Sequence, residues 1–250
     1  MAESMNSRLI LVEGCPGSGK SSTAQFLCRQ LQQAGYLCRW YYEEEMPHPV
    51  AATKGVGRAK DFREYGTATL KRWRDFVSRT KRANEIIIIE SHFFQDIIAP
   101  LLRVDVKPER IGKLVLRMAE FCAPLNPSLF YFHQPDYSAA MRRILDERGS
   151  DVEKRYIQRS AGSISARRRG LQGFDGLGQN WVDVRHIMEQ MVGELDMPTL
   201  TIDSSARDWQ TYYRQIGEFL SLPLERPPAI GAEDLKSYTG TYTYSRNAAP

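Results

Sequence analysis

The sequence predicts a three-layer αβα protein built on a five-stranded parallel sheet, and three observations carry that expectation. Short, almost unbroken apolar runs recur along the chain, each followed by a longer stretch with helical spacing. Strands buried on both faces read as continuous apolar runs, and strands alternating with helices require crossovers that cover both faces of a parallel sheet. The third observation is the turn that closes the first run, LILVEGCPGSGKS over residues 9–21.

Residues 9–13 form the first expected strand, apolar and closed by an acid. Gly14, four residues and then Gly19-Lys20-Ser21 match GxxxxGK[ST], the spacing of a phosphate-binding loop. Its glycines allow the backbone N–H groups to curl inward toward a polyphosphate lying at the positive end of the next helix. That helix is expected over 21–34 and stops at Gly35. The aromatic stretch 36–42 reads as a second strand, followed at once by Glu43, Glu44 and Glu45 and then Met46-Pro47-His48-Pro49, where two prolines end regular structure. A long basic helix over 61–82 leads to a third strand, Ile86 to Ile89 with Glu90. Helices are expected over 93–102 and 108–121, the second opened by a proline. A fourth strand over 128–132 precedes a helix over 137–148, an Arg-rich helical continuation over 151–169, and a glycine-rich break, GLQGFDGLG. A helix over 180–195, a fifth strand over 199–203 and a closing helix over 208–220, capped by Ser204 or Ser205, complete the pattern.

With 250 residues, 42% hydrophobic and 26% charged, the composition is that of a soluble globular chain with room for one sizeable core. The domain is placed at 1–222, with an Arg-rich helical lid at about 142–170, and residues 223–250 read as a Pro-rich linker and a Tyr/Thr-rich tail. No apolar run has the length of a membrane span and the first residues carry no basic-then-apolar leader, so the expected location is the cytoplasm. Cysteines 15, 28, 38 and 122 have no metal-ligand spacing and are expected as reduced thiols. The net charge of +4 is too small by itself to mark a nucleic-acid binder. It is concentrated, however: residues 142–170 hold nine Lys/Arg against four Asp/Glu.

Four elements in this order resemble the thymidylate kinase and deoxynucleoside kinase branch of the P-loop kinases, over roughly 9–222. They are the loop GCPGSGKSS, the acid–proline cluster EEEMP after the second strand, the acid of Glu90-Ser91-His92, and the unit LFYFHQPDYSAAMRRILDERG. The second is similar to a Glu-Pro whose glutamate takes the proton of the substrate hydroxyl, the third to an acid-arginine-serine signature, the fourth to a segment whose arginines close over the transferred phosphate. Ser91 stands where that signature has arginine, so an anion contact must come from elsewhere or the substrate differs.

The resemblance implies a P-loop nucleotide kinase-like fold and an ATP-dependent kinase that moves the γ-phosphate in line to a small-molecule acceptor, a nucleoside or nucleotide first, with Mg²⁺. The loop residues Gly14, Cys15, Pro16, Gly17, Ser18, Gly19, Lys20, Ser21 and Ser22 are the candidates for binding ATP. Lys20 would reach the β- and γ-phosphates, and Ser21 with Glu90 would hold the metal, Glu90 through water. Glu44 is the first choice of general base and Glu43 the next, with Glu45 beside them; a solvated acidic turn is the bland alternative. Arg148, just before a glycine that can hinge, leads the lid arginines Arg142, Arg143, Arg155 and Arg159 as the charge that stabilises the transition state. Their bland alternative is a solvated helical face, and Arg167 to Arg169 read as surface charge. His92 reads as a hydrogen-bonded pocket wall and Cys15 as a passive small residue. Two other classes remain beside the leading one, a nucleic-acid-directed kinase or ATPase and a non-catalytic nucleotide-binding module. A homodimer is compatible with every reading.

Overall fold

The computed structural model describes residues 6–52, 55–222 and 224. Leu9–Gly14 (β1) is buried along its whole length and sits in the middle of a sheet with Cys38–Tyr41 (β2), Ile86–Glu90 (β3), Ser128–His133 (β4) and Thr199–Asp203 (β5). The strand order is β2-β3-β1-β4-β5, and every pairing is parallel. The expected α/β class and the five strands are therefore both found.

Alternate residues of each strand feed two separate apolar layers, as the period of two requires. Ile10, Val12, Ile88, Phe130 and Phe132 pack with Ala24, Leu27 and Leu31 of Lys20–Gln33 (α1) and with Ile216 of Trp209–Leu220 (α9). Leu9, Leu11, Ile87, Ile89, Leu129 and Tyr131 join a larger cluster on the other face. That layer is made by Phe62–Thr80 (α2), Gln95–Arg103 (α3), Pro108–Cys122 (α4), Tyr137–Arg148 (α5) and Gly173–Glu194 (α8), with Trp73, Phe93, Ile111, Met141 and Met188 fully buried. The four cysteines are buried free thiols.

The chain runs from β1 to the β2 edge, returns to β3, and only then crosses to β4 on the other side. Strand order thus reverses at β1, and in open α/β sheets the crevice for a ligand lies beyond the strand ends at such a point. Register brings the ends together: Val12 pairs with Glu90, Gly14 with Phe132 and Tyr41 with Ile89. Residues 13–19, 42–45 and 90–95 therefore meet above one edge of the sheet.

Several boundaries differ from expectation. The glycine-rich break is confined to residues 170–172, where Gly170 ends the preceding helix, because α8 starts at Gly173 and runs through the rest of the stretch. Gly176 and Gly178 there serve close packing: a Cβ on Gly176 would sit 2.9 Å from the Leu171 carbonyl carbon, and one on Gly178 3.4 Å from Ser138 Oγ. The Arg-rich stretch is two helices, Ser150–Ala161 (α6) and Ile164–Arg169 (α7), split where Ser163 caps the second. The closing helix is capped by Asp208, which accepts from Thr211 N, and neither Ser204 nor Ser205 caps it. β2 is shorter than the aromatic run that announced it. The tail at 223–250 lies outside the described residues except for Leu224, which packs against the α1–α9 layer. Among the described residues no helix is long and apolar enough to cross a membrane.

Ile88 has no solvent exposure and holds the short central strand to α1. Ile88→Ala is expected to lower the unfolding free energy by about 2–5 kcal/mol, read as a lower urea midpoint with unchanged slope. A loss within about 0.5 kcal/mol, as on a surface, would contradict this packing.

Candidate active site

The loop between β1 and α1 is fixed by contacts that only glycine allows. Gly17 has φ 75° and Gly19 φ 95°, and a Cβ on them would lie 2.2 Å from Ile144 Cδ1 and 2.1 Å from the Trp209 ring. The loop is thus pressed between α5 and the start of α9. Gly19 gives α1 no side-chain cap, so the first amides of that helix remain available to an anion at its positive end.

Lys20 is the buried charge at this end, with 5% of its surface exposed. Its Nζ donates to Cys15 O at 3.0 Å and to Gln95 Oε1 at 3.0 Å. Both acceptors are neutral, and an ammonium has three donors. Among the described residues Lys20 makes no ion pair within 4.0 Å, so a third N–H is left for a ligand in the cavity that it lines.

Gln95, the first residue of α3, joins the rest. Its backbone N donates to Glu13 Oε2 at 3.2 Å while its Nε2 donates to Glu43 Oε1 at 2.9 Å. Glu13 closes β1, has no exposure, and also accepts from Phe93 N at 2.7 Å. Burial pushes its carboxyl up to about 8, against the pull of the backbone N–H groups and Lys20.

Ser21 Oγ donates to Glu90 Oε1, and Trp40 Nε1 donates to Glu90 Oε2 at 3.2 Å. Burial raises the Glu90 carboxyl above its ordinary range, with the Ser21 bond and Lys20 opposing. The two oxygen donors expected for a metal are therefore in contact. No group of three or more His, Cys, Asp or Glu that could hold a metal gathers among the described residues. One hydroxyl and one carboxylate suit Mg²⁺, which prefers hard oxygens and keeps several waters.

The three acids after β2 separate by environment. Glu45 is turned into an ion pair with Arg39. Glu44 is exposed at the cavity mouth, and Glu43 is half-buried on Gln95. The Glu43 carbonyl accepts from His92 Nε2 at 3.0 Å, and His92 Nδ1 lies 3.1 Å from Asp96 Oδ2. His92 also stacks on His48, with ring centroids 3.9 Å apart. It braces the turn that carries Glu43, and Asp96 is pushed up to about 6 by burial, with His92 opposing. The Cys15 thiol, part of the apolar core, is pushed up to about 12 by burial, which keeps it unreactive.

Above these groups opens a cavity of about 450 Å³, within the range of about 300–1,000 Å³ typical of small-molecule sites. Pro16, Gly17 and Gly19 to Ser22 line it, as do Glu43, Glu44, Gln95 and Asp96. Of the lid arginines only Arg148 and Arg159 face it. Arg148 Nη1 donates to Tyr156 Oη at 3.2 Å. Arg142 is committed to Glu153 at 2.9 Å and to the face of Phe174, while Arg168 and Arg169 pair with Asp105 and Asp183. Arg207, unremarked in the sequence, lines the cavity in an ion pair with Glu147 at 2.8 Å.

The structure thus brings Lys20, Ser21, Glu43, Glu44 and Arg148 around one space, with Glu90 held behind Ser21, and leaves Arg142 outside it. Sequence reasoning missed Gln95, Asp96, Trp40, Arg103, Arg207 and Trp209. Glu13 alone had a signal, an acid ending a buried strand.

No protein-family model matches the chain, and no curated protein matches it. Among solved structures it is similar in fold to the YorR protein of Bacillus subtilis in complex with phosphorylated GDP, at 12% identity and TM-score 0.45, over 84% of this chain and 95% of that one. Deoxyadenosine kinase from M. mycoides, with bound dATP, gives 17% and 0.45 over 85% and 99%. Thymidylate kinase from Candida albicans gives 14% and 0.45 over 85% and 91%.

Glu13 has a consequence in solution. With its pKa raised from 4.5 to about 8, the folded chain keeps between about pH 5 and 8 a proton that the unfolded chain has already released, so this group lowers stability as pH rises through that window. The difference in melting temperature between the native chain and Glu13→Gln should change steadily between pH 5 and 8, the native chain losing ground, and level off above. A difference independent of pH would mean that Glu13 is ionised throughout.

Proposed function

We propose that this chain is an ATP-dependent phosphotransferase that moves the γ-phosphate in line to a small acceptor, a nucleoside or nucleotide in the first instance. One observation carries the reading: a buried ammonium, Lys20, stands inside a glycine-built anion loop with neutral partners only. Burying a charge without a direct ion pair is costly, and a polyphosphate supplies that pair.

The loop amides and the N-terminus of α1 bind the phosphate chain, and Lys20 bridges its outer oxygens. Ser21 and Glu90 would hold Mg²⁺, Glu90 through water. When bound, that ion neutralises phosphate oxygens and fixes their orientation. Glu43, oriented by Gln95, accepts the proton of the attacking hydroxyl. Arg148, on the last turn of α5 beside Gly149, swings its guanidinium from Tyr156 onto the equatorial oxygens as transferred charge develops. The cavity is sized for a small molecule, which favours this reading over a nucleic-acid substrate.

Glu43→Gln is expected to lower turnover at least 100-fold while leaving the affinity for Mg·AMPPNP within about twofold. The readouts are coupled ADP release, with an acceptor found by substrate screening, and calorimetry. Unchanged turnover removes Glu43 from the mechanism. Glu44→Gln with the larger effect would move the role to its neighbour. Lys20→Ala should abolish detectable nucleotide binding, and retained binding would overturn the phosphotransferase reading.

A further inference from the structure

Two cavity arginines have no task in the reaction as proposed. Arg103 ends α3 and Arg159 lies on α6, and both line the cavity. Among the described residues neither guanidinium has a hydrogen-bond partner or an ion pair, unlike Arg207 with Glu147 and Arg148 with Tyr156. Asp96 faces the same space, but its Oδ2 is engaged by His92 and it comes within 4.0 Å of neither arginine.

The two charges work against each other. Arg103 is half-buried, and burial together with repulsion from Arg159 pulls it down to about 10, with Asp96 and Tyr65 opposing. Two guanidinium groups on one cavity, half-buried Arg103 and exposed Arg159, with the nearby Asp96 carboxylate paired to neither, form a recognition pattern for a planar or tetrahedral anion.

Their distance from the chemistry separates this anion from the phosphoryl group. Gln95 and Arg103 are the two ends of α3, eight residues apart, which is about 12 Å of helix. Gln95 touches Lys20 and Glu43, so Arg103 marks the opposite end of the cavity. The wall between them, Ala99, Pro100, Leu102, Leu177, Trp181 and Val184, is mainly apolar and suits the body of the ligand.

Resting on the phosphotransferase reading, we propose that the acceptor carries a second, non-reacting anionic group, a phosphate or carboxylate, clasped between Arg103 and Arg159 at the end of the cavity away from Lys20. Uncharged alcohols and unmodified nucleosides are then poor acceptors, and the two arginines set that specificity.

The test uses the full chain saturated with Mg·AMPPNP, titrated by calorimetry with inorganic phosphate and separately with acetate at constant ionic strength. The expected result is one saturable anion site in the filled protein, at least tenfold weaker in Arg103→Leu and in Arg159→Ala, with Arg103→Lys between. Tighter phosphate assigns the group as a phosphate, tighter acetate as a carboxylate. Binding of neither anion, or unchanged binding in both variants, overturns the proposal. Mg·AMPPNP binding by each variant shows that it is folded, and if Arg103→Leu is not, Arg159→Ala decides. Failure of the native chain to bind Mg·AMPPNP would overturn the phosphotransferase reading itself and this proposal with it.

Discussion

The buried ammonium of Lys20 is the constraint on which the rest of the site depends. A charge held at the start of a helix is opposed by that helix's own positive end, and burial removes the water that would otherwise screen it. The fold answers with two neutral oxygens, one from the loop and one from Gln95, and leaves the remaining valence open to an incoming anion. Gln95 can do this only because Glu13, at the end of the central strand, anchors its backbone. The same amide side chain holds Glu43. One residue thus sets the spacing between the phosphate-binding lysine and the carboxylate nearest the acceptor, and both answer to an acid sealed under the sheet's edge.

The parallel sheet makes this economy of position available. β1, β3 and β2 end at one level, so their trailing residues Glu13, Glu90 and Glu43 arrive side by side from three distant parts of the chain. Each acid is then given a different environment. Glu13 is sealed in, Glu90 is bonded by Ser21 and Trp40, and Glu43 is half-open to the cavity. Environment rather than residue type separates their roles, as it does wherever similar carboxylates must act differently.

The strands, the phosphate loop and its lysine were legible in the sequence because they are local. Apolar runs announce buried strands, and the glycine spacing is dictated by a tight turn against Ile144 and Trp209. What was not legible depends on contacts between distant residues. Gln95 carries no periodic or motif signal, and its role exists only because residues 13, 20 and 43 converge on it. Of the three acids, only geometry separates Glu45, spent on Arg39, from Glu43. The glycines of α8 looked like a break, yet they are close-approach positions within a helix, and propensity gave way to packing. Within the arginine-rich stretch, folding pairs Arg142, Arg168 and Arg169 with carboxylates and brings Arg148 and Arg159 to the cavity, a division that spacing alone does not show.

The central claim, that the loop and Lys20 grip a nucleotide's polyphosphate, is tested most directly by diffraction from crystals grown with Mg·AMPPNP. The β- and γ-phosphates should lie against the amides of residues 17–22, with the free N–H of Lys20 Nζ on their oxygens and Ser21 Oγ on the metal. A loop without the nucleotide, with Lys20 still bound only to Cys15 O and Gln95 Oε1, would contradict the claim.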